Sequence, residues 1–216
     1  GVIIIVGHGF IFPERSDRMS GKICAFTGHR QLPAGKREEL SLLLDGYLLE
    51  FYRAGFRIFR NGGAIGFDLL AAERILALRS RFPQVCLSLY LPCSGQDRYY
   101  RESDRERYRK LLSCADEKRL ISENYTPSCM FERDRAMIDG ADACLAYVTK
   151  TTGGSYYTMR YAQKQGVPVY NLAGESEKQL SIFSDFCWTK KAITFKRGLD
   201  KKAYIRYNRT VRRRSL

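Results

Sequence analysis

Three short segments place glycine beside groups that hold anions. Thr27-Gly28-His29-Arg30 joins a hydroxyl, an imidazole and a guanidinium. The planar fork of Arg30 suits phosphate, because its N–H groups donate in a fixed plane. Gly62-Gly63-Ala64-Ile65-Gly66-Phe67-Asp68 brings backbone amides and one carboxylate, and Gly153-Gly154-Ser155, with Thr158 one turn later, brings amides and two hydroxyls. Glycine permits positive φ and close backbone approach to a ligand. Amides at a helix start then face an anion, with the helix dipole behind them. The chemistry expected is a cradle for a nucleotide or nucleotide-like anion.

Each residue also has a plainer use. Arg30 suits solvent as well as phosphate, and His29 suits a turn cap. Asp68 could contact a ribose hydroxyl or simply favour a helix dipole. Gly153 to Thr158 could be an ordinary turn with a capped helix. Arg133 and Arg135 are two apart, so on a helix they do not share a face and at most one points into the site. The other is expected in solvent or beside Glu132 or Asp134. Tyr99-Tyr100 could cover a base. No C-x-x-C pair occurs among the seven cysteines, and His8 and His29 are the two histidines. No metal site and no required cofactor are therefore expected. Cys24, Cys86 and Cys144 read as small core hydrophobes.

The segments that must position these loops alternate. Short apolar runs at 23–26, 56–59, 85–91, 143–148 and 167–172 read as strands, with a further one at 118–122. Stretches at 36–54, 67–80, 104–114, 127–139 and 156–165 repeat apolar residues at helical spacing or read as helices between them. Thr126 is a candidate N-cap, and Gly55 and Gly166 follow helices as terminators. Alternation of this kind requires right-handed crossovers and a mainly parallel sheet. The expected fold is Rossmann-like α/β with helices on both faces, its three glycine loops at the carboxy edge where open α/β sheets bind ligands.

The 216 residues suffice for one domain with an appendage. No apolar run approaches the roughly 20 residues of a membrane span, so no membrane partner and a cytoplasmic location are expected. The net charge of +14 is uneven. Residues 190–214 carry eleven lysines and arginines against Asp200, a composition that concerns partners rather than fold. Residues 174–216 are expected to be a basic extension, either a hairpin of 192–196 and 203–207 or a tail without structure. Residues 1–18 are expected to be a translated upstream leader. Glu14-Arg15-Ser16 can be encoded with an AGGAG run, and Met19 follows after a short gap. The competing reading is a first strand at 2–6 followed by Gly7-His8-Gly9, a partial dinucleotide fingerprint. The domain proper is then 19–173.

Taken together, strand-T-G-H-R, G-G-A-x-G-x-D-x-x-A-A-E, Pro92-Cys93, Asp104-Arg105-Glu106-Arg107-Tyr108, Cys129-Met130 and Gly153-Gly154-Ser155 resemble the YpsA-like family of the SLOG superfamily. The resemblance runs from about Lys22 to Ala173. It implies a Rossmann-like fold and a nucleotide-derived ligand, without an assigned reaction. Within the superfamily, LONELY GUY phosphoribohydrolases pair an arginine with a glutamate of P-G-G-x-G-T-x-x-E. Arg133 matches the arginine, whereas Met159 and Arg160 stand near the place of the glutamate. Cleaving a glycosidic bond ordinarily uses carboxylates, so Asp68 and Asp139 would have to substitute. Gly154-Ser155-Tyr156-Tyr157-Thr158, with Gly166 and Val169, echoes DprA, whose relatives bind single-stranded DNA.

The leading expectation is a module that binds or senses a nucleotide-derived small molecule. The alternatives are an N-glycosidic hydrolase or transferase using Arg133 and Asp68, and a nucleic-acid binder using the 190–214 tail with Tyr204 and Tyr207 as stacking rings. Homo-oligomer formation is left open.

Overall fold

A computed structural model describes residues 4–6, 9–11 and 20–173 of the chain. The basic tail, the two hairpin segments considered for it and most of the leader lie outside the described residues. Six strands form one parallel sheet: β3 (Lys22–Gly28), β4 (Phe56–Asn61), β5 (Cys86–Leu91), β6 (Glu117–Leu120), β7 (Ala143–Tyr147) and β8 (Val169–Asn171). Two three-residue strands, β1 (Ile4–Val6) and β2 (Gly9–Ile11), pair with each other antiparallel, and β2 pairs antiparallel with β6. The sheet order is β1-β2-β6-β5-β4-β3-β7-β8. The expectation of a Rossmann-like α/β fold holds.

Helices α1 (Arg37–Arg53), α2 (Phe67–Arg79), α3 (Glu102–Cys114), α4 (Cys129–Ile138) and α5 (Gly154–Lys164) are the crossovers. The chain lays β3 to β6 outward in sequence order, then returns through α4 to place β7 on the other side of β3. Right-handed crossovers put α1, α2 and α3 on one face and α4 and α5 on the other. The packing agrees, since α1 meets α2, α2 meets α3, and α4 meets α5. The reversal falls between β3 and β7, and such a switch point opens a crevice at the carboxy ends of the strands.

Strands buried on both faces should read as continuous apolar runs. β7 does: all five of its residues are buried, and so are Cys24, Ala25 and Phe26 of β3. On the α4–α5 face the core joins Ala25, Tyr90, Met137, Ile138, Cys144 and Ala162. Cys24, Cys86 and Cys144 are buried as expected, and so are Cys93 and Cys129. Burial raises the Cys93 and Cys144 thiols, the latter to about 12. Among the described residues no helix is long and apolar enough to cross a membrane.

Element boundaries shift by a few residues where local chemistry decides them. α4 begins at Cys129, two residues later than the sequence suggests, because the Thr126 hydroxyl accepts the Cys129 amide at 3.1 Å and holds the preceding turn. α3 begins two residues earlier, at Glu102, with acids Glu102 and Asp104 in its first turn, where the dipole favours them.

Candidate functional site

The first and third loops are tied together at the switch point. The Ser155 hydroxyl donates to the Gly28 carbonyl at 2.7 Å, and the Thr149 amide donates to His29 Nε2 at 2.8 Å. The His29 amide in turn donates to the Tyr147 carbonyl at 3.2 Å. An imidazole nitrogen that accepts is unprotonated, so Nδ1 carries the proton. Burial, aided by the Lys150 charge, lowers the His29 pKa and favours that neutral ring. His29 is thus a strap between β3 and β7.

The second loop joins through backbone. Gly66 has φ of 84° and caps α2, with the Phe67 amide donating to the His29 carbonyl at 3.1 Å. A Cβ on Gly66 would collide with the carbonyls of His29 and Arg30, and one on Gly28 would collide with Phe67. The Asn61 side chain organises the turn. Its Nδ2 donates to the Asp68 carbonyl at 3.0 Å, and its Oδ1 accepts the Gly63 amide at 2.8 Å. All three loops therefore converge, as the strand–loop–helix pattern requires.

Behind Gly62 lies a buried charged cluster. Arg133 Nη1 donates to the Gly62 carbonyl at 2.8 Å, and Arg133 Nε lies 2.8 Å from Asp134 Oδ1, an ion-pair contact without hydrogen-bond alignment. Asp134 Oδ2 accepts the Thr158 hydroxyl at 2.8 Å, and the same hydroxyl lies 2.9 Å from the Gly154 carbonyl. A Cβ on Gly62 would meet both the Arg133 guanidinium and Asp68 Oδ2. Asp68 is buried, and its Oδ1 has no hydrogen-bond partner among the described residues. Desolvation pushes its pKa up from 3.8 to about 7, against the pull of Arg133 and with a push from Asp134.

This geometry revises the role expected of several glycines. Those of the first two loops were expected to admit a ligand, yet protein atoms occupy the space. Gly28 seats Phe67, Gly62 seats Arg133, Gly63 faces Tyr108, and Gly66 seats backbone. Gly153 and Gly154 are different, because an added Cβ at either would meet nothing within 4 Å. Gly153, with φ of 89°, caps α5 without a side-chain cap, so no capping side chain takes up the first amides of that helix. Arg30 is exposed, lies near enough to Asp68 and Tyr100 to influence both, and has no ion pair among the described residues. Thr27 is buried under the loop, and Ala64 supplies a backbone hydrogen bond to Asp68. Thr158, expected to offer a hydroxyl to the ligand, spends it on Asp134 because it is buried on α5.

Arg133 and Arg135 divide as their spacing demands. Arg133 is buried in the cluster, whereas Arg135 is exposed and donates from Nε to the Tyr157 hydroxyl at 2.7 Å. The tyrosine pair also splits. Tyr99 is 89% exposed, while the Tyr100 hydroxyl donates to the Gly63 carbonyl at 3.3 Å, so the pair does not act as one cover. Asp139 stands at the C-terminus of α4, the end away from the carboxy edge, and accepts the Tyr161 hydroxyl at 2.8 Å. That removes it as a substitute carboxylate. Sequence reasoning misses Gln96, whose Nε2 donates to the Gly62 carbonyl at 2.9 Å and to the Tyr100 hydroxyl at 3.0 Å. It also misses Tyr108, although a buried tyrosine among the charges of α3 marks that helix's inward face. Among the described residues no group of three or more His, Cys, Asp or Glu is placed to hold a metal ion.

Comparison with known proteins gives one consistent answer. The model of the YpsA family, described as the YspA SLOG family, matches residues 27–173. A UPF0398 protein of Bacillus velezensis is 27% identical over 179 residues, covering 76% of this chain and 98% of that protein. UPF0398 protein YpsA of Bacillus subtilis is 26% identical over 163 residues, covering 69% of this chain and 91% of the other. Among solved structures, DNA processing protein A from Helicobacter pylori superposes with a TM-score of 0.57 at 16% identity, covering 82% of this chain and 79% of that one. At that identity the likeness speaks for the fold.

Proposed function

This chain belongs to the YpsA SLOG family, and from that premise we propose that it binds or senses a nucleotide or nucleotide-derived small molecule at the carboxy edge of its sheet. The observation that carries the reading is the start of α5. Its Gly153 and Gly154 face open space, and Ser155 ties that helix start to Gly28 at the switch point. Unpartnered amides at a helix N-terminus favour a phosphate. Exposed Arg30 on the adjoining loop supplies a fork for the same group. The closed first and second loops then act as the rigid wall that fixes the position of these donors.

Calorimetric titration of the full chain with AMP, ADP-ribose and NAD tests the reading, after denaturation and mass spectrometry have excluded a retained ligand. Saturable binding that is weakened by Arg30→Ala supports it. Absence of binding by all three to ligand-free, folded protein refutes it.

Two further readings have one observation each. The neutral-leaning Asp68 beside Arg133 is an acid poised to donate a proton near pH 7, as cleavage at an N-glycosidic bond would use. Release of free base from nucleoside monophosphates, lost in Arg133→Ala, would establish it. The second starts from DNA processing protein A of Helicobacter pylori, which binds single-stranded DNA. For this chain that reading assigns the contacts to the basic 190–214 segment, and it requires affinity that falls steeply with salt and disappears when the segment is deleted.

A further inference from the structure

The segment that joins β5 to α3 holds a bare aromatic ring on a rigid support at the carboxy edge. Tyr99, at its tip, is 89% exposed, more than any other large hydrophobic side chain among the described residues. Arg105 reaches back from α3 and donates to three carbonyls around that tip. Its Nε meets Asp97 at 3.4 Å, and its Nη2 meets Arg98 at 3.2 Å and Tyr100 at 3.1 Å. The Arg98 amide closes on the Gly95 carbonyl and the Tyr100 amide on the Asp97 carbonyl. Gln96 and Tyr100 fasten the same segment to the second loop through Gly62 and Gly63. A tip held in this way presents its ring at little further cost in loop ordering on binding.

The charges around the tip do not cancel. Arg105 takes up the two acids within three residues of Tyr99, lying 3.8 Å from Asp97 and 2.7 Å from Glu102. Arg98 and Arg101 flank Tyr99, are exposed, and have no ion pair among the described residues. The Arg98 guanidinium lies 5.8 Å from the Tyr99 ring centroid. Arg30, exposed on the first loop and equally without an ion pair there, lies near enough to Tyr100 to influence it. The segment after β6 is fastened to this one, its Glu123 carbonyl accepting the Ser94 hydroxyl at 2.6 Å. Two residues on stands Tyr125, 69% exposed.

We propose that this rim, with Tyr99 as a stacking ring and Arg98 and Arg101 as phosphate contacts, is a binding surface for single-stranded nucleic acid. It rests on the single-strand reading above, and it places base contacts on the domain itself. A protein partner would ask for a different surface, because the centre of a specific protein interface is apolar. Apart from the two tyrosines, the exposed large hydrophobics among the described residues are Leu42 and Phe131, which lie on α1 and α4 rather than on these segments. Bare rings among unpaired guanidiniums suit unstacked bases and the phosphates between them. In a duplex the base faces cover one another, so the ring has access to a single strand alone.

Fluorescence anisotropy of a labelled oligothymidylate, titrated with the full chain over a series of salt concentrations, tests the rim. Tyr99→Ala should weaken binding about tenfold at every salt concentration, in line with one stacked base. Tyr99→Phe should keep the affinity. Arg98→Ala and Arg101→Ala should each weaken binding and lower the salt slope by about 0.7, the share of one phosphate on a single strand. All three side chains are exposed, so the variants should melt with the parent protein. Unchanged affinity in Tyr99→Ala, with unchanged slopes in the arginine variants, overturns the rim in favour of a protein partner and leaves the 190–214 contacts standing. Equal weakening of duplex and single-strand binding by Tyr99→Ala overturns it too, because no base is then stacked. Failure of the unmodified chain to bind the oligonucleotide overturns the rim and the single-strand reading together.

Discussion

The amide of Thr149 donates to the imidazole of His29 across 120 residues of sequence, at 2.8 Å. This bond closes the switch point by joining the ends of two strands that the chain reaches at very different times. It exists only while His29 Nε2 is unprotonated, which makes it sensitive to acid.

Because the folded-state pKa of His29 is depressed below 6.5, the strap contributes its stability above about pH 6.5 and loses it as pH falls through the lower folded value. The Thr149 amide resonance should shift along that acid limb in a pH titration by NMR. In His29→Ala the limb should vanish and stability near pH 7.5 should drop by about 1 kcal/mol, the usual worth of one such bond. An unchanged acid limb in the variant would assign it to another group.

Asp68 predicts the opposite slope. Its folded pKa of about 7 lies above the unfolded value of 3.8, so the native state holds the proton more tightly. Stability is therefore favoured at low pH and falls as pH rises from about 4 to about 7, after which the cost is constant. Asp68→Asn mimics the protonated form. It should match the parent protein near pH 4 and exceed it at pH 8 by a few kcal/mol, since each tenfold change in proton affinity is worth ~1.4 kcal/mol. Chemical denaturation at both pH values decides the point, and equal stability at pH 8 would contradict the buried-acid assignment.

Arg133 holds the cluster together from its centre. Arg133→Ala strands Asp134 and removes the cation that draws down Asp68, and breaking a buried pair in this way costs about 3–5 kcal/mol. The companion substitution Asp68→Asn removes one of the stranded carboxylates, so the double variant should recover part of the loss. A double-mutant cycle measures the coupling, and strictly additive effects would mean the two side chains do not communicate.

The glycines should separate into two classes. Gly28→Ala drives a methyl into Phe67 and should cost about 1–3 kcal/mol or more, as overpacked positions do. Gly154→Ala meets open space at the start of α5 and should melt at or above the parent temperature, since alanine favours the helix. Its predicted defect is in binding, with AMP affinity reduced where the methyl narrows the approach to the amides. Comparable destabilisation by both substitutions would defeat the distinction.

Much of this was readable from the chain because it depends on local pattern. Apolar runs broken by glycine, alternating with helical periodicity, determine a parallel sheet whose loops share one edge, for no other layering buries both faces of those runs. The two-residue spacing of Arg133 and Arg135 likewise determined that they would part. What each glycine is for could not be read locally. Gly28 and Gly154 look alike in sequence, but Phe67 crosses one and nothing crosses the other. The fates of the Thr158 hydroxyl and the Asp68 carboxylate depended on Arg133 and Asp134, residues of another element. Desolvation and hydrogen-bond partnership are set by every neighbour in space, and those neighbours come together only when distant segments pack.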